Sequence, residues 1–404
     1  MSPELARRLD HNPTQRKRLR TLIVSDAPSQ WQNPLFRSLA AQSDLSLLVV
    51  FGRTVLPTDS ELGGRVPVWG QASSCEGFPF AVAPEPGGAL VKYAVQTVLA
   101  RDYDVLIIPG WGSQLARTFL SVVLAVGYAR KRTIVHTDAT DTLSRPHRVV
   151  NVRTLALRTL AMAGLHCGVT GTAARKHLER VGINSAKMLV LPYVVDNDET
   201  ARETRKWRQN RDRLRLEMAG VRNADSPIML AILKFVAREG LGQLLQGFIL
   251  AAHEHPDARL LIVGDGPERK SNEQLVQDHG CGKQVTFCGY QPYPELPRFY
   301  AVADWFIHLP LSEPWGLAVN QAAAAGLPLL CSEGVGAAQD LLEDGVNGFS
   351  AGRTIGDAVD AIQRAIKTPP QRRAEMAAAS VRLSERVHHR QWVTALRSFA
   401  DGSR

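Results

Sequence analysis

The residues best placed for chemistry lie in one run, Asp304-Trp-Phe-Ile-His-Leu-Pro-Leu-Ser-Glu-Pro-Trp-Gly-Leu-Ala-Val-Asn-Gln. It predicts an apolar strand over Trp305–Leu309, a loop carrying one carboxylate, Glu313, and a helix opening at Trp315-Gly316. Pro314 suits a first helical position, Gly326 the position past the last turn, and Pro328 bars continuation. A strand feeding a helix through a glycine-containing loop leaves backbone N–H groups free at the positive end of the helix dipole. That arrangement binds anions, above all phosphate.

The same run resembles the nucleotide-sugar signature of family-4-type retaining glycosyltransferases, in which a Glu and a second Glu eight residues later flank such a helix start. Glu313 occupies the first place, and Gln321 stands where the second is expected. The resemblance implies that Glu313 orients sugar hydroxyls, that Gly316 and Leu317 offer backbone N–H groups to a diphosphate, and that Gln321 meets the ribose. Two basic residues after the first strand of the C-terminal domain neutralise the diphosphate in that family. Lys234 holds the first of these places. Glu239 stands at the second, with Arg238 one residue earlier as the substitute cation. A carboxylate about 6 Å from a phosphate opposes it by roughly 3 kcal/mol at an effective dielectric of 20, about a hundredfold in affinity. Glu239 is therefore tolerable turned outward and unfavourable turned inward.

Further motifs fall into the same likeness. Gly264-Asp-Gly-Pro267 resembles the Gly-x-Gly-Pro loop at the cleft rim, with Gly266 at the donor, although alone the pattern is a plain turn. Tyr290, ending Phe287-Cys-Gly-Tyr290, either stacks on the nucleotide base or packs. In the N-terminal half, His136-Thr-Asp138 ends a strand at the carboxyl edge, where open sheets bind ligands. His136 there approaches the sugar, with Asp138 on the acceptor side, or His136 is a satisfied polar residue. Trp111 lines an acceptor groove or packs in the core. The likeness covers most of residues 21–365 and is strongest from about 228 to 350. Gln32–Ala40 and Pro192–Asn197 resemble segments of bacterial surface-polysaccharide transferases.

Strands and helices alternate twice along the chain. Thr21–Ser25, Leu45–Phe51, Asp104–Pro109, Thr133–His136, Gly168–Thr170 and Lys187–Leu191 read as strands of a first series. Ile228–Phe235, Ala258–Val263, Val285–Cys288, Trp305–Leu309 and Leu327–Cys331 form a second. Alternation of this kind predicts doubly wound parallel sheets. The expected division is a basic tail over 1–20, a unit over 21–191, a second over 192–370 and a closing helical segment over 371–404. In tandem these make an α/β protein with two Rossmann-like domains facing across a cleft, the GT-B arrangement that the resemblance implies.

At 404 residues, 45% apolar and 22% charged, the chain has the composition of a globular protein with two cores. Five cysteines show neither disulfide-framework nor zinc spacing. No run reaches about 18 apolar residues, and the first twenty residues lack a signal-peptide core. The expected location is cytoplasmic, with room for a peripheral place on the inner face of the membrane. The net charge of +9 is uneven: residues 1–190 carry +10 and the rest −1. Nucleic acid is not expected, because no zinc-finger, aromatic RNA-binding or recognition-helix pattern accompanies the charge. An anionic membrane surface or a phosphate-bearing lipid acceptor fits better. The expectation is sugar transfer from a nucleoside-diphosphate sugar to a glycan or lipid-linked acceptor with retention of configuration, the sugar nucleotide being co-substrate and no metal being required. The alternative is a catalytically weakened relative that serves as a binding or scaffold partner in glycan assembly.

Overall fold

The computed structural model describes residues 18–54, 75–140, 147–221, 223 and 226–402. The basic tail expected at 1–20 lies outside the described residues as far as residue 17, and Leu19 and Arg20 already belong to a strand. Seven parallel strands form the first sheet: β1 (Leu19–Ser25), β2 (Leu45–Phe51), β3 (Phe80–Val82), β4 (Val105–Pro109), β5 (Thr133–Thr137), β6 (His166–Val169) and β7 (Met188–Val190), in the order β3-β2-β1-β4-β5-β6-β7. Six more form the second: β8 (Ile228–Ile232), β9 (Arg259–Val263), β10 (Val285–Gly289), β11 (Trp305–His308), β12 (Leu329–Ser332) and β13 (Gly348–Ala351), in the order β10-β9-β8-β11-β12-β13. Both series are parallel and doubly wound, as their sequence alternation requires.

Each sheet is buried on both faces, so its strands are near-continuous apolar runs. Ile23 and Val49 join one apolar cluster while Leu22, Val24 and Val50 join another on the opposite face. In the second sheet Leu230 and Phe306 face one way, Met229, Trp305 and Ile307 the other. Reversal of strand order between β1 and β4, and again between β8 and β11, opens a crevice at the carboxyl ends of those pairs. Such crevices are where doubly wound sheets hold ligands. In the second sheet, the loops leaving β8 and β11 are those bearing Lys234 and Glu313.

The chain passes between the lobes at Pro192–Asp196. Asp196 accepts from the Glu199 amide at 2.8 Å and so starts helix Asn197–Arg208. Asn197 donates to the Ser384 and Val387 carbonyls, and Trp392 donates to the Pro192 carbonyl at 2.8 Å. The closing helix, His389–Gly402, thereby returns to the first lobe. There Arg397 pairs with Asp44 at 2.8 Å, and Phe399 meets the His166 ring edge-on.

A buried ion cluster fixes the start of the second sheet. Asp304 accepts from Arg211 at 2.7 Å, Arg215 at 2.9 Å and the Ile228 amide at 2.9 Å. Burial pushes its pKa up, but Arg211, Arg215, Arg373 and that amide outweigh burial and hold it below its ordinary value. A carboxylate held low in the folded state contributes stability above its unfolded pKa, lost as pH falls through the lower folded one. Asp304→Asn leaves buried arginines short of their counter-charge and is expected to destabilise by about 2 kcal/mol. Urea melts at pH 7 and pH 3 test this: the wild-type advantage should be largest at pH 7 and shrink at pH 3.

Some elements differ from expectation for identifiable reasons. Strand β8 stops at Ile232 because the chain there turns aside, the Phe235 amide donating to the Asp265 carbonyl. The helix that begins at Gln114 ends at Ala125, before Gly127. Strands β3 and β13 and the helices Gly88–Leu99 and Ile355–Ile366 stand where none was foreseen.

Candidate functional site

The loop after β11 does not enter the helix at Pro314. Glu313 donates its amide to the Gly334 carbonyl at 2.9 Å, the Gly336 amide donates to the Glu313 carbonyl at 2.9 Å, and the Ala337 amide donates to the Trp315 carbonyl at 2.9 Å. This lacing holds residues 313–315 outside the helix, so the helix is Leu317–Ala324 and Gly316 is its N-cap. Gly316 takes φ 102°, a left-handed angle that favours glycine. Gly326, also left-handed at φ 73°, follows the helix as its sequence position requires. Among the described residues, nothing accepts from the amides of Gly316, Leu317 or Ala318. These three N–H groups are the open donors that the sequence pointed to.

Glu313 lies beside them. One carboxylate oxygen accepts from the Trp315 amide at 3.3 Å and the other lies 3.4 Å from Arg238 Nη1. Burial pushes the Glu313 pKa up, the Trp315 amide and Arg238 hold it back, and Asp138 raises it further. Asp138 belongs to the first lobe, so Glu313 is close enough to that lobe to feel its charge.

Glu239 is turned inward and only 6% exposed. Arg238 answers it at 3.0 Å with the same nitrogen that reaches Glu313. His308, the last residue of β11, completes the group: Glu239, His308 and Glu313 each bring a ligand-type atom within 4.8 Å of the others. Both His308 ring nitrogens are buried without a hydrogen-bond partner. Burial, then the Arg238 charge, lower its pKa to about 4, so the ring is neutral at pH 7. Two carboxylates and a neutral imidazole are groups that can hold a cation, and here the Arg238 guanidinium supplies positive charge to both carboxylates. Sequence reasoning missed His308. Its position at a strand end, five residues before Glu313, was the available signal.

Gly264-Asp-Gly-Pro267 is more than an isolated turn, because it packs on the loop that carries Lys234. A Cβ on Gly264 would lie 1.9 Å from the Leu233 carbonyl oxygen, and one on Gly266 would lie 2.7 Å from that of Phe235. The Phe235 amide donates to the Asp265 carbonyl at 3.0 Å and the Gly264 amide donates to the Gly289 carbonyl at 3.0 Å. Three loops are thus stacked, those of Lys234, Gly266 and Tyr290, with Tyr290 half-buried. Gly264→Ala has no room and an unsuitable φ of 147°, and should destabilise by about 1–3 kcal/mol. A thermal melt checks it; an unchanged Tm would mean that the loops are not stacked this tightly.

Gln321 is 5% exposed, on the inner side of helix Leu317–Ala324. Its carbonyl oxygen accepts from the Tyr300 hydroxyl at 3.2 Å. In the first lobe, His136 Nε2 meets the Leu191 carbonyl at 2.7 Å, and its ring lies edge-on to Tyr193 and Trp392. Burial lowers its pKa to about 4, against the Leu191 contact. These contacts tie His136 to the crossing segment, whereas Asp138, two residues on, acts on Glu313. Trp111 is partly buried and packs against two apolar clusters of the first lobe. The structure therefore brings together Glu313, Arg238, Asp138, Gly316 and Leu317, stacks the loops of Lys234, Gly266 and Tyr290, and sets His136, Trp111 and Gln321 in packed surroundings.

Residues 213–381 match the family model of glycosyl transferases group 1. The lipopolysaccharide core biosynthesis glycosyltransferase LpsE of Rhizobium meliloti is 32% identical over 144 residues, 36% of this chain and 39% of that protein. The alpha-monoglucosyldiacylglycerol synthase of Acholeplasma laidlawii is 27% identical over 130 residues, 32% of each chain. The chain thus spans about a third of the length of these curated relatives. Among solved structures, Anabaena HepE in complex with UDP and glucose is similar over 95% of this chain and 99% of that one, with a TM-score of 0.67 and 18% identity. The protein has the two-lobed GT-B fold, and its residues 213–381 are similar to the glycosyl transferases group 1 family and to surface-polysaccharide enzymes.

Proposed function

We propose that this protein moves a sugar from a nucleoside-diphosphate sugar to a glycan or lipid-linked acceptor with retention of anomeric configuration. The observation that carries the reading is the row of open amides at Gly316, Leu317 and Ala318, lying beside Glu313 at the crevice between β8 and β11. Amides and a helix dipole stabilise negative charge as the diphosphate leaves. Lys234 and Arg238 add full charges at the same end of the sheet. Glu313 holds the sugar hydroxyls in the reactive geometry, and Asp138 faces it from the acceptor side. Gly266 and Tyr290 line the nucleotide end and Gln321 the ribose end, while His136 and Trp111 support the acceptor lobe. The division is an acceptor-binding unit over 21–191 and a donor-binding unit over 192–370. No metal is required in this reading, since amides and cations supply the charge.

The curated relatives named above act, by their names, in glucolipid and lipopolysaccharide synthesis, and the excess of basic residues in the first lobe suits a lipid phosphate or an anionic bilayer. No described helix is long and apolar enough to cross a membrane. The acceptor class is accordingly a membrane glycolipid or a lipid-linked glycan, met at the inner membrane face. Thermal shifts with UDP- and GDP-sugars, followed by mass spectrometry of the protein with membrane lipid extracts, test the reading. A donor-dependent shift and a hexose-sized mass gain on a lipid are expected; neither appearing with any donor removes the proposal.

The second reading, a weakened relative acting as a binding partner in glycan assembly, is favoured by two positions. Glu239 points its carboxylate inward, and Gln321 has its carbonyl occupied by Tyr300. It predicts no donor shift, together with full complementation in cells by a Glu313→Ala variant.

A further inference from the structure

Helix Thr172–Arg180 of the first lobe begins after Gly171, which has no side chain with which to cap it. Its cap comes from the other lobe. Asp340, on the short helix Ala338–Leu341, accepts from the Thr172 amide at 3.0 and 3.3 Å and from the Thr172 hydroxyl at 2.6 Å. A carboxylate at a helix N-terminus satisfies open donors and meets the positive end of the dipole. Beside it, Lys176 donates to Gln339 at 3.4 Å across the same boundary.

The close approach also explains Gly171. Its backbone is extended, with φ 173°, so conformation does not call for glycine there; space does. A Cβ would lie 2.5 Å from Asp340 Oδ2 and 2.4 Å from Cζ3 of the Trp315 ring. Trp315 immediately precedes the open amides. Residues 334–337, which lead into the helix of Asp340, are the ones laced to Glu313 and Trp315. One short stretch of chain therefore joins the contact between lobes to the loop that carries Glu313.

We infer that Asp340 is a positioning residue: by capping a helix of the opposite lobe it latches the two lobes closed, and by seating Trp315 on Gly171 it fixes loop 313–316 for a nucleoside diphosphate. For its ligand the inference rests on the function proposed above, whereas the latch rests on the contact itself. Opening the lobes uncovers Trp315 and frees the loop. Closing them completes a site that excludes water.

The test compares full-length wild type with Asp340→Ala, which removes every bond to Thr172, with Thr172→Val, which removes the hydroxyl bond and leaves the amide ones, and with Asp340→Asn. Loss of charge-assisted hydrogen bonds shifts the open-to-closed ratio about tenfold or more. With far-UV circular dichroism unchanged, Asp340→Ala should increase the radius of gyration by small-angle scattering, and Thr172→Val should do so to a smaller extent. Tryptophan emission should shift to the red, and the shift should vanish when Trp315→Phe is added. Affinity for the probes UDP and GDP should fall about tenfold in Asp340→Ala and less in Thr172→Val, the double variant should be no worse than Asp340→Ala, and Asp340→Asn should lie between Asp340→Ala and the wild type. If Asp340→Ala does not fold, Thr172→Val carries the test alone. Wild-type scattering and emission in the folded variants overturn the inference, even if nucleotide binds. Opened variants of a protein that binds neither nucleotide keep the latch and remove the donor reading instead.

Discussion

Replacing Glu313 by glutamine is expected to lower kcat/KM for sugar transfer by about two to three orders of magnitude, with UDP or GDP affinity changed by no more than about threefold. The asymmetry follows from placement. The amides of Gly316, Leu317 and Ala318 and the charge of Lys234 suit the diphosphate, and glutamine leaves them as they are. The carboxylate is near enough to Asp138 of the first lobe to feel its charge, and the proposed function places the sugar on that side. Glutamine keeps the shape and one acceptor oxygen but loses the charge that strengthens hydrogen bonds to hydroxyls. Because burial and then Asp138 push the Glu313 pKa up, the ionised form is lost at a higher pH than for an exposed glutamate. Activity should fall on the acid side accordingly. Asp138→Asn removes one raising influence and should move that acid limb to lower pH. Steady-state kinetics across pH with isothermal titration of the nucleotide measures both effects. Wild-type turnover by Glu313→Gln would remove Glu313 from the reaction.

The two sheets were legible because their strands are buried on both faces. Leu45–Phe51 and Trp305–His308 are short, almost wholly apolar runs broken only by Ser46 and His308, the pattern of a strand in a covered sheet. Phe80–Val82 and Gly348–Ala351 are short outer strands, whose few residues carry too little pattern to stand out. The helix end after β11 was legible in kind but misplaced at its start. Pro314 looks like a first helical residue until residues 334–337, distant in sequence, hold Glu313 and Trp315 outside the helix. The partners of Glu313 show the same limit. Asp138 and Arg238 come to it from other strands, and no spacing along the chain reports an approach made across a cleft. His136 and Gln321 were singled out for their chemistry, but the Leu191 carbonyl and the Tyr300 hydroxyl that engage them lie 55 and 21 residues away. The inward turn of Glu239 was the open question of the sequence, and in the fold it is buried and paired with Arg238.

That inward carboxylate carries the second large expectation: Glu239→Gln should tighten UDP or GDP binding by about a hundredfold. A unit negative charge about 6 Å from a phosphate opposes it by roughly 3 kcal/mol at an effective dielectric of 20. In the wild type Arg238 offsets part of this, but one nitrogen of its guanidinium is shared between Glu239 at 3.0 Å and Glu313 at 3.4 Å. Glutamine removes the opposing charge and leaves Arg238 shared only between Glu313 and the diphosphate, so both changes act in one direction. Arg238 is 43% exposed by its side chain, so its release leaves no buried unpaired cation. Glu239→Asp keeps the charge and should bind as the wild type does, which separates charge from shape. Titration at two salt concentrations is the measurement, and the gain should shrink as salt screens the exposed side of the site. If nucleotide binding to Glu239→Gln equals that of the wild type, Glu239 does not face the phosphates. The natural carboxylate would then be only a partner that orients Arg238 toward Glu313, and the Lys234 loop would carry the diphosphate with the helix amides alone.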